Sequence, residues 1–111
     1  MKAVLDACVL YPTGLRGILL GCAAAGLYRP MWSARILEEW ARATRKLGLG
    51  AEAQARAEIA GVMAAFPAAM VPPAPGVEAR LHLPDPADIH VLATAVAAGA
   101  DAIVTVNAAD F

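Results

Sequence analysis

The sequence has few charged residues and almost no excess of either sign. Nine Lys and Arg residues are balanced by ten Asp and Glu residues, so the formal net charge is −1. Because a broad positive field is missing, tight and non-specific nucleic-acid binding by the chain alone is disfavoured. Basic residues in and just before the helix that is predicted at residues 34–47 form either a solvated face, which we favour, or a strip that contacts phosphates. They are Arg29, Arg35, Arg42, Arg45 and Lys46.

Cysteine is also scarce, and no apolar run is long enough for a membrane span. Two cysteines, Cys8 and Cys22, are too few for a disulfide framework, which indicates a reducing compartment. Residues 17–27 are apolar but cover only about half of a membrane span. No basic segment precedes them, as a signal peptide would require. We therefore expect a cytoplasmic protein that does not enter a membrane.

Apolar residues, in contrast, are abundant and occur in short runs. They make up 59% of the 111 residues, which argues against disorder and allows one domain over residues 1–111. The runs at residues 3–5 and 102–106 are typical of strands buried on both faces, as in a parallel sheet. The order of predicted strands and helices along the chain indicates an α/β layer fold with a parallel sheet. Helices are predicted at residues 14–25, 34–47, 52–66 and 86–99, and a short strand at residues 69–71.

Several polar residues follow the predicted strands directly. Asp6 comes immediately after the first strand, and ligands of open α/β sheets bind at the carboxyl ends of the strands. Thr105 lies near the carboxyl end of the last strand, and Asn107 and Asp110 come in the following turn, so all three would lie at the same edge. Asn and Asp are also common turn residues, so the combination with Asp6 is more informative than either of them alone.

Two further acids are predicted to lie on helices near this edge. Asp88 stands three and four residues before apolar residues, where it either faces a cleft or only caps its helix. Glu39 lies at the border of the apolar face of its helix. This position is consistent either with an acid that lines a cleft or with an ordinary boundary residue. Glu38 is predicted to be solvent-exposed and to pair with Arg42 four residues later.

Carboxylates that meet at one sheet edge repel each other unless a cation joins them. Hard oxygen ligands, without Cys or His at metal-ligand spacing, favour Mg²⁺ or Mn²⁺. Such a cation activates water and neutralises charge on phosphoryl oxygens, which is the chemistry of phosphodiester hydrolysis. His90 faces away from Asp88 on the helical wheel, and no catalytic role is predicted for it.

Four sequence blocks, which together extend over nearly the whole chain, carry a family resemblance. They are Leu5-Asp6-Ala7, Trp32-Ser33 with Ile36-Leu37-Glu38-Glu39, Asp85-Pro86-Ala87-Asp88-Ile89-His90-Val91-Leu92-Ala93, and Ile103-Val104-Thr105-Val106-Asn107 with Asp110-Phe111. In order and spacing these blocks resemble the PIN domain. The resemblance implies a three-layer α/β fold with a central parallel sheet flanked by helices. It also implies an Mg²⁺- or Mn²⁺-dependent ribonuclease that acts on single-stranded RNA. Many small bacterial PIN domains are VapC-like toxins held by an antitoxin, so the resemblance further implies a toxin role with an antitoxin partner.

The resemblance also implies the residues of an active site. The core catalytic acids, which would bind the metal, are Asp6, Glu39 and Asp88. The variable fourth catalytic position falls on Asp110 or Asn107. Thr105 would support the acids with its hydroxyl.

Two features depart from the family pattern. Cys8 replaces the Asn, Thr or Ser that is more usual two residues after the first acid, and a buried Cys behaves as a small hydrophobe. The sequence also ends at Phe111, where relatives continue, so we expect either a sheet without one edge strand or a truncated product. An open edge favours a homo-oligomer.

Two other functions stay open at this point. A non-catalytic PIN-like module that acts through protein contacts would fit Cys8 and the end at Phe111, and it would not require a divalent metal. Phosphoryl transfer through an aspartyl nucleophile at Asp6 ranks last, because no Lys follows Lys46 to steer a phosphate.

Overall fold

The computed structural model describes residues 1–107, 109 and 111. Within these residues it contains a three-stranded parallel sheet, in which the first strand lies between the other two. The strands are β1 (Lys2–Leu5), β2 (Arg29–Met31) and β3 (Ala102–Val104). The predicted α/β fold with a central parallel sheet flanked by helices is confirmed.

The helices in the described part of the chain differ widely in length. α1 (Ala7–Leu10) and α5 (Pro75–Glu78) are single turns. None of the described helices is long and apolar enough to cross a membrane. The longer helices are α2 (Thr13–Ala24), α3 (Ala34–Ala43), α4 (Ala51–Ala65) and α6 (Ile89–Ala98), and 3-10 turns at Thr44–Leu47 and Pro86–Asp88 follow α3 and precede α6.

β1 is the central strand, and apolar neighbours cover it. Val4 pairs with Met31 of β2 and with Ile103 of β3, and the side chains of Val4 and Leu5 are fully buried. This is the doubly buried strand that the apolar run at residues 3–5 predicts. Since the strands are parallel, Asp6 after β1 and the turn after β3 lie at the same edge of the sheet.

Capping residues set the boundaries of two helices. The backbone N–H of Ile36 donates to Ser33 Oγ at 3.1 Å and caps α3. Gly99 ends α6 with a φ of 62°, a left-handed conformation that glycine adopts without steric cost. α3 is shorter than predicted because its last turn tightens into the 3-10 helix Thr44–Leu47.

Two elements near the start of the chain differ from the prediction. Arg29–Met31 form the edge strand β2, in a segment for which no strand is predicted. Pro30 makes this strand difficult to predict from the sequence, because proline lacks the N–H of a sheet ladder and is tolerated mainly at sheet edges. α1 is the second difference, because a helical turn follows Asp6 where no helix is predicted.

The predicted short strand at residues 69–71 is reduced to a single parallel bridge. Met70 pairs with Trp32 immediately after β2. The backbone N–H of Trp32 donates to Ala69 O at 3.0 Å, and the backbone N–H of Val71 donates to Trp32 O at 2.8 Å. The bridge prolongs the line of β2, and the Trp32 side chain is fully buried beside it.

Candidate active site

Asp6 lies at the carboxyl end of β1, where the sequence predicts the centre of a site. The residue is only 6% exposed. Its N–H donates to Val104 O at 3.1 Å, which continues the pairing of β1 with β3. Its Oδ1 accepts from the N–H of Ala7 at 2.7 Å and thereby caps α1. The strand and the helical turn together fix the direction of this carboxylate.

The second carboxylate oxygen of Asp6 is held by neutral donors. The Thr105 hydroxyl donates to Oδ2 at 3.0 Å, and the Cys8 thiol donates to the same oxygen at 3.5 Å. Cys8 Sγ and Thr105 Oγ1 lie 3.3 Å apart, so the three side chains form a closed triangle. The structure therefore brings Thr105, a predicted supporting residue, into contact with Asp6.

The turn after β3 anchors this triangle through its backbone. The Val106 N–H donates to Cys8 Sγ at 3.4 Å, and the Asn107 N–H donates to Thr105 Oγ1 at 3.0 Å. The Thr105 hydroxyl therefore donates its proton to Asp6 and accepts from Asn107 on a lone pair. Asn107 therefore contacts the site through its backbone N–H. Asp110, the other predicted fourth-position residue, lies outside the described residues.

Glu39 contacts the first turn of α6 from α3. Its Oε1 lies 2.8 Å from Nε2 of His90, whose side chain is 4% exposed, whereas the Glu39 side chain is 39% exposed. The Glu39 oxygen does not lie along the direction of a ring N–H bond of His90. The two groups are therefore close enough to interact electrostatically, but the geometry is not that of a good hydrogen bond. Since α3 also packs against α1, Glu39 and Asp6 lie on neighbouring elements.

Asp88 ends the 3-10 turn Pro86–Asp88 and immediately precedes α6. The residue is half-buried, and α6 packs against β1 and β3. Asp85 accepts from the Ala87 N–H at 2.9 Å, as a cap would. Within the described residues, the Asp88 carboxylate makes no capping bond to α6. The capping role therefore belongs to Asp85, and Asp88 lies two residues from the histidine that contacts Glu39.

His90 is the residue of this region that sequence analysis missed. On a helical wheel His90 lies on a different face of α6 from Asp88, and in the structure it contacts Glu39 of α3. One signal in the sequence could have identified it. α6 otherwise consists of apolar residues and one threonine, so a histidine in its first turn needs a polar partner.

Glu38, the neighbour of Glu39, has a different environment. Its side chain is 37% exposed, almost the same fraction as that of Glu39. Arg56 donates to both of its oxygens at 2.9 Å, and Arg42 donates at 3.0 Å. These hydrogen bonds, first from Arg56 and then from Arg42, lower the pKa of Glu38 to about 2. The predicted pair with Arg42 is present, but exposure does not distinguish the two glutamates; their partners do.

The basic residues near α3 are largely paired with glutamates. Arg45 and Arg56 both donate to Glu52, and these hydrogen bonds lower the pKa of Glu52 to about 2. Arg35 lies 3.7 Å from Glu78. The interpretation of this face as a solvated, ion-paired surface is therefore better supported than a strip that contacts phosphates.

The candidate acids supply only oxygen donors, which suits Mg²⁺ or Mn²⁺. Among the residues that the structure describes, no group of three or more His, Cys, Asp and Glu side chains is placed to hold one ion. A shared metal at Asp6, Glu39 and Asp88 therefore stays a prediction. Asp6 is the best defined of the three, because both of its oxygens have assigned partners.

A cavity of about 780 Å³ lies at the opposite end of the sheet from Asp6. Met1 and Lys2 at the start of β1 line it, together with Arg29, Tyr28 and Phe66. Burial, with a smaller contribution from Cys22, raises the pKa of the Tyr28 hydroxyl. No carboxylate of the described residues lines this cavity. The chemistry predicted from sequence therefore belongs to the other end of the sheet.

The fold and the site together define a class of protein. It is an open parallel α/β sheet with an acid at the carboxyl end of its central strand, where such sheets bind ligands. The family profile of the PIN domain matches residues 2–109, so the chain belongs to the PIN domain family. The predicted family is confirmed, and PIN domains are typically nucleases that use divalent metals. Comparisons with curated proteins and with solved structures gave no match.

Proposed function

We propose that the chain is a divalent-metal-dependent endoribonuclease that hydrolyses phosphodiester bonds in single-stranded RNA. The observation that carries this proposal is the buried carboxylate of Asp6, held by Thr105 at the sheet edge of a PIN domain. Among the described residues only neutral groups contact this carboxylate. A buried negative charge in such surroundings favours a cation, which Mg²⁺ or Mn²⁺ would supply.

Asp6 would be the principal metal ligand, because hydrogen bonds from Ala7 and Thr105 already restrict its rotation. An ion that binds the remaining lone pairs would then cost little further side-chain entropy. Asp88 before α6 and Glu39 on α3 would complete the oxygen set. When bound, the metal activates water and neutralises charge on the phosphoryl oxygens.

The fourth catalytic position is part of the same proposal. Asp110 or Asn107 would adjust the outer side of the site, and Asn107 already connects to it through the N–H that it donates to Thr105. Because the arginines near α3 are paired with glutamates, the described residues offer little unpaired positive charge there for RNA phosphates. RNA affinity at this edge would therefore depend strongly on the bound metal.

For the biological role we propose the toxin of a cytoplasmic toxin–antitoxin pair, assembled as a homo-oligomer. Apolar side chains, among them those of Ile18, Leu49 and Met63, are exposed and would be covered if a protein partner bound over them. Both cysteines are free, as a reducing compartment favours. Light scattering of the purified chain should give a mass above that of a monomer. A monomeric mass throughout a dilution series would contradict the oligomer.

Cleavage of a mixed RNA pool tests the enzymatic proposal. The parent chain should cleave RNA with Mg²⁺ or Mn²⁺, lose activity in excess EDTA, and recover when the metal is restored. Activity that persists in EDTA would contradict the metal-dependent mechanism. Single-stranded and duplex forms of the same RNA, compared in one assay, test the preference for single strands.

A non-catalytic interaction module is the second candidate. The observation behind it is that, among the described residues, no three metal-binding side chains are placed to hold one ion. Calorimetric titration with Mn²⁺ separates the two candidates, because a module that acts only through protein contacts needs no metal. Saturable binding that Asp6→Asn abolishes would favour the nuclease.

A further inference from the structure

His90 is an imidazole buried between two helices. It is the second residue of α6, and its side chain is 4% exposed. Among the described residues, neither ring nitrogen has a hydrogen-bond partner with good geometry. Burial of a polar ring in this state lowers the stability of the fold, since the ring gives up its hydrogen bonds to water. Packing alone would be better served by an apolar residue, so another role should explain the histidine.

The polar group that approaches this ring is the carboxylate of Glu39. Its Oε1 lies 2.8 Å from Nε2 of His90. An ionised carboxylate can only accept, so the contact favours the ring form with a proton on Nε2. The pair joins α3 to the first turn of α6, directly after Asp88.

His90 is held more firmly than Glu39. Its carbonyl accepts from the buried hydroxyl of Thr94 at 2.8 Å, and the next residue, Val91, is 1% exposed. Glu39 is 39% exposed and has several rotatable side-chain bonds. The contact therefore restricts the glutamate, and the histidine is its fixed partner.

We propose that His90 is a positioning residue that orients the Glu39 carboxylate beside Asp88 for metal binding. This inference rests on the proposed metal-dependent function. Partners of metal-binding carboxylates keep them in a productive orientation, and the loss of such a partner typically weakens metal affinity or activity about 10- to 100-fold. His90 acts through Glu39 and contacts neither metal nor RNA.

Two substitutions at His90 separate positioning from packing. His90→Leu fills the site with an apolar side chain, whereas His90→Gln keeps an N–H donor near the position of Nε2. Calorimetry of the full chain should show Mn²⁺ affinity about 10-fold weaker in His90→Leu and within about threefold of the parent in His90→Gln. His82→Leu, at an exposed histidine, should leave the affinity unchanged.

Thermal unfolding of the same variants excludes a purely structural explanation. His90→Leu should unfold at or above the temperature of the parent, because it removes a poorly hydrogen-bonded buried ring. Weaker Mn²⁺ binding in an equally stable variant supports positioning. Equal Mn²⁺ affinity in His90→Leu and the parent overturns it. A parent that binds no Mn²⁺ overturns the proposed function instead.

A metal-free measurement tests the contact itself. Long-range proton–nitrogen NMR of the parent should show His90 with its proton on Nε2. Glu39→Gln should shift the His90 nitrogen signals, whereas Glu38→Gln, at the neighbouring and equally exposed glutamate, should not. Unchanged His90 signals in Glu39→Gln would overturn the inference, whether or not the parent binds metal.

Discussion

The negative charges of acidic residues have different partners in two regions of this molecule. On α3 and α4, Glu38 and Glu52 accept hydrogen bonds from the guanidinium groups of three arginines, which hold both pKa values at about 2. At the end of β1, Asp6 is 6% exposed and accepts from the Ala7 N–H, the Cys8 thiol and the Thr105 hydroxyl. The first group is rich in cations, whereas neutral donors surround the second.

The difference separates acids whose charge is already paired at the surface from an acid that is available for the proposed metal binding. Each glutamate of the first group already has its positive partner, so a metal ion would have to displace an arginine. Among its described contacts, Asp6 has hydrogen bonds that orient it but none that neutralise it. Glu39 is intermediate, because its partner His90 is a cation only when protonated.

Replacement of Asp6 by Asn should have the largest effect on activity. The variant keeps the shape of the side chain but loses the charge that a metal needs, so RNA cleavage should fall at least about 100-fold. Glu38→Gln is the matched control and should leave cleavage unchanged. Cleavage rates with Mn²⁺, measured beside thermal unfolding of each variant, check this. Equal cleavage by Asp6→Asn and the parent would remove the distinction between the two groups.

Loss of the Thr105 hydroxyl should have the next largest effect. Thr105→Val keeps the branched shape but leaves Asp6 Oδ2 without its 3.0 Å donor, so cleavage should fall about 10- to 100-fold. Thr105→Ser restores the hydroxyl and should recover most of the activity. If Val and Ser variants are equally impaired, the side-chain shape and not the hydrogen bond is what the site requires.

The parts of this site that sequence analysis could predict depend on strand position. Asp6 and Thr105 were predictable because parallel strands bring their carboxyl ends to one edge, whatever the loops do. Asp85 was predictable as a cap because the following proline fits the first helical position. These predictions need only the type and order of the elements.

The parts that could not be predicted depend on contacts between distant segments. Arg56 reaches Glu38 across 18 residues of sequence, through the packing of α4 on α3. The contact of His90 with Glu39 likewise requires the relative rotation of α6 and α3, which the periodicity of either helix does not give. β2 was missed for a local reason, because Pro30 is a poor strand residue except at an edge.

Cys8 tests how closely the triangle around Asp6 must be packed. Its thiol donates at 3.5 Å and accepts from the Val106 N–H at 3.4 Å. Cys8→Ser keeps a donor and an acceptor in a smaller group, so activity should stay within about threefold of the parent. Cys8→Ala should lower it further. Cleavage by the Ala variant at the rate of the parent would show that Thr105 alone orients Asp6.

The smallest effect is expected from the exposed group, and it concerns stability. Glu38 and Glu52 have pKa values near 2 in the folded chain, below the ordinary value of 4.5. A lowered folded-state pKa contributes stability that is present above 4.5 and is lost as the pH falls toward 2. The parent should therefore lose more stability across this range than the double variant Glu38→Gln and Glu52→Gln. Unfolding temperatures at several pH values measure the difference.

Salt provides the control for this last comparison. Both glutamates are partly in water, so added NaCl should screen their pairs and reduce the gap between the parent and the double variant at neutral pH. The fall in activity of Asp6→Asn should persist at the same salt concentration, because Asp6 is buried and its partners are neutral. Parallel stability curves for the parent and the double variant from pH 4.5 to 2 would contradict the assigned pKa values. The arginine pairs would then contribute nothing measurable to the fold.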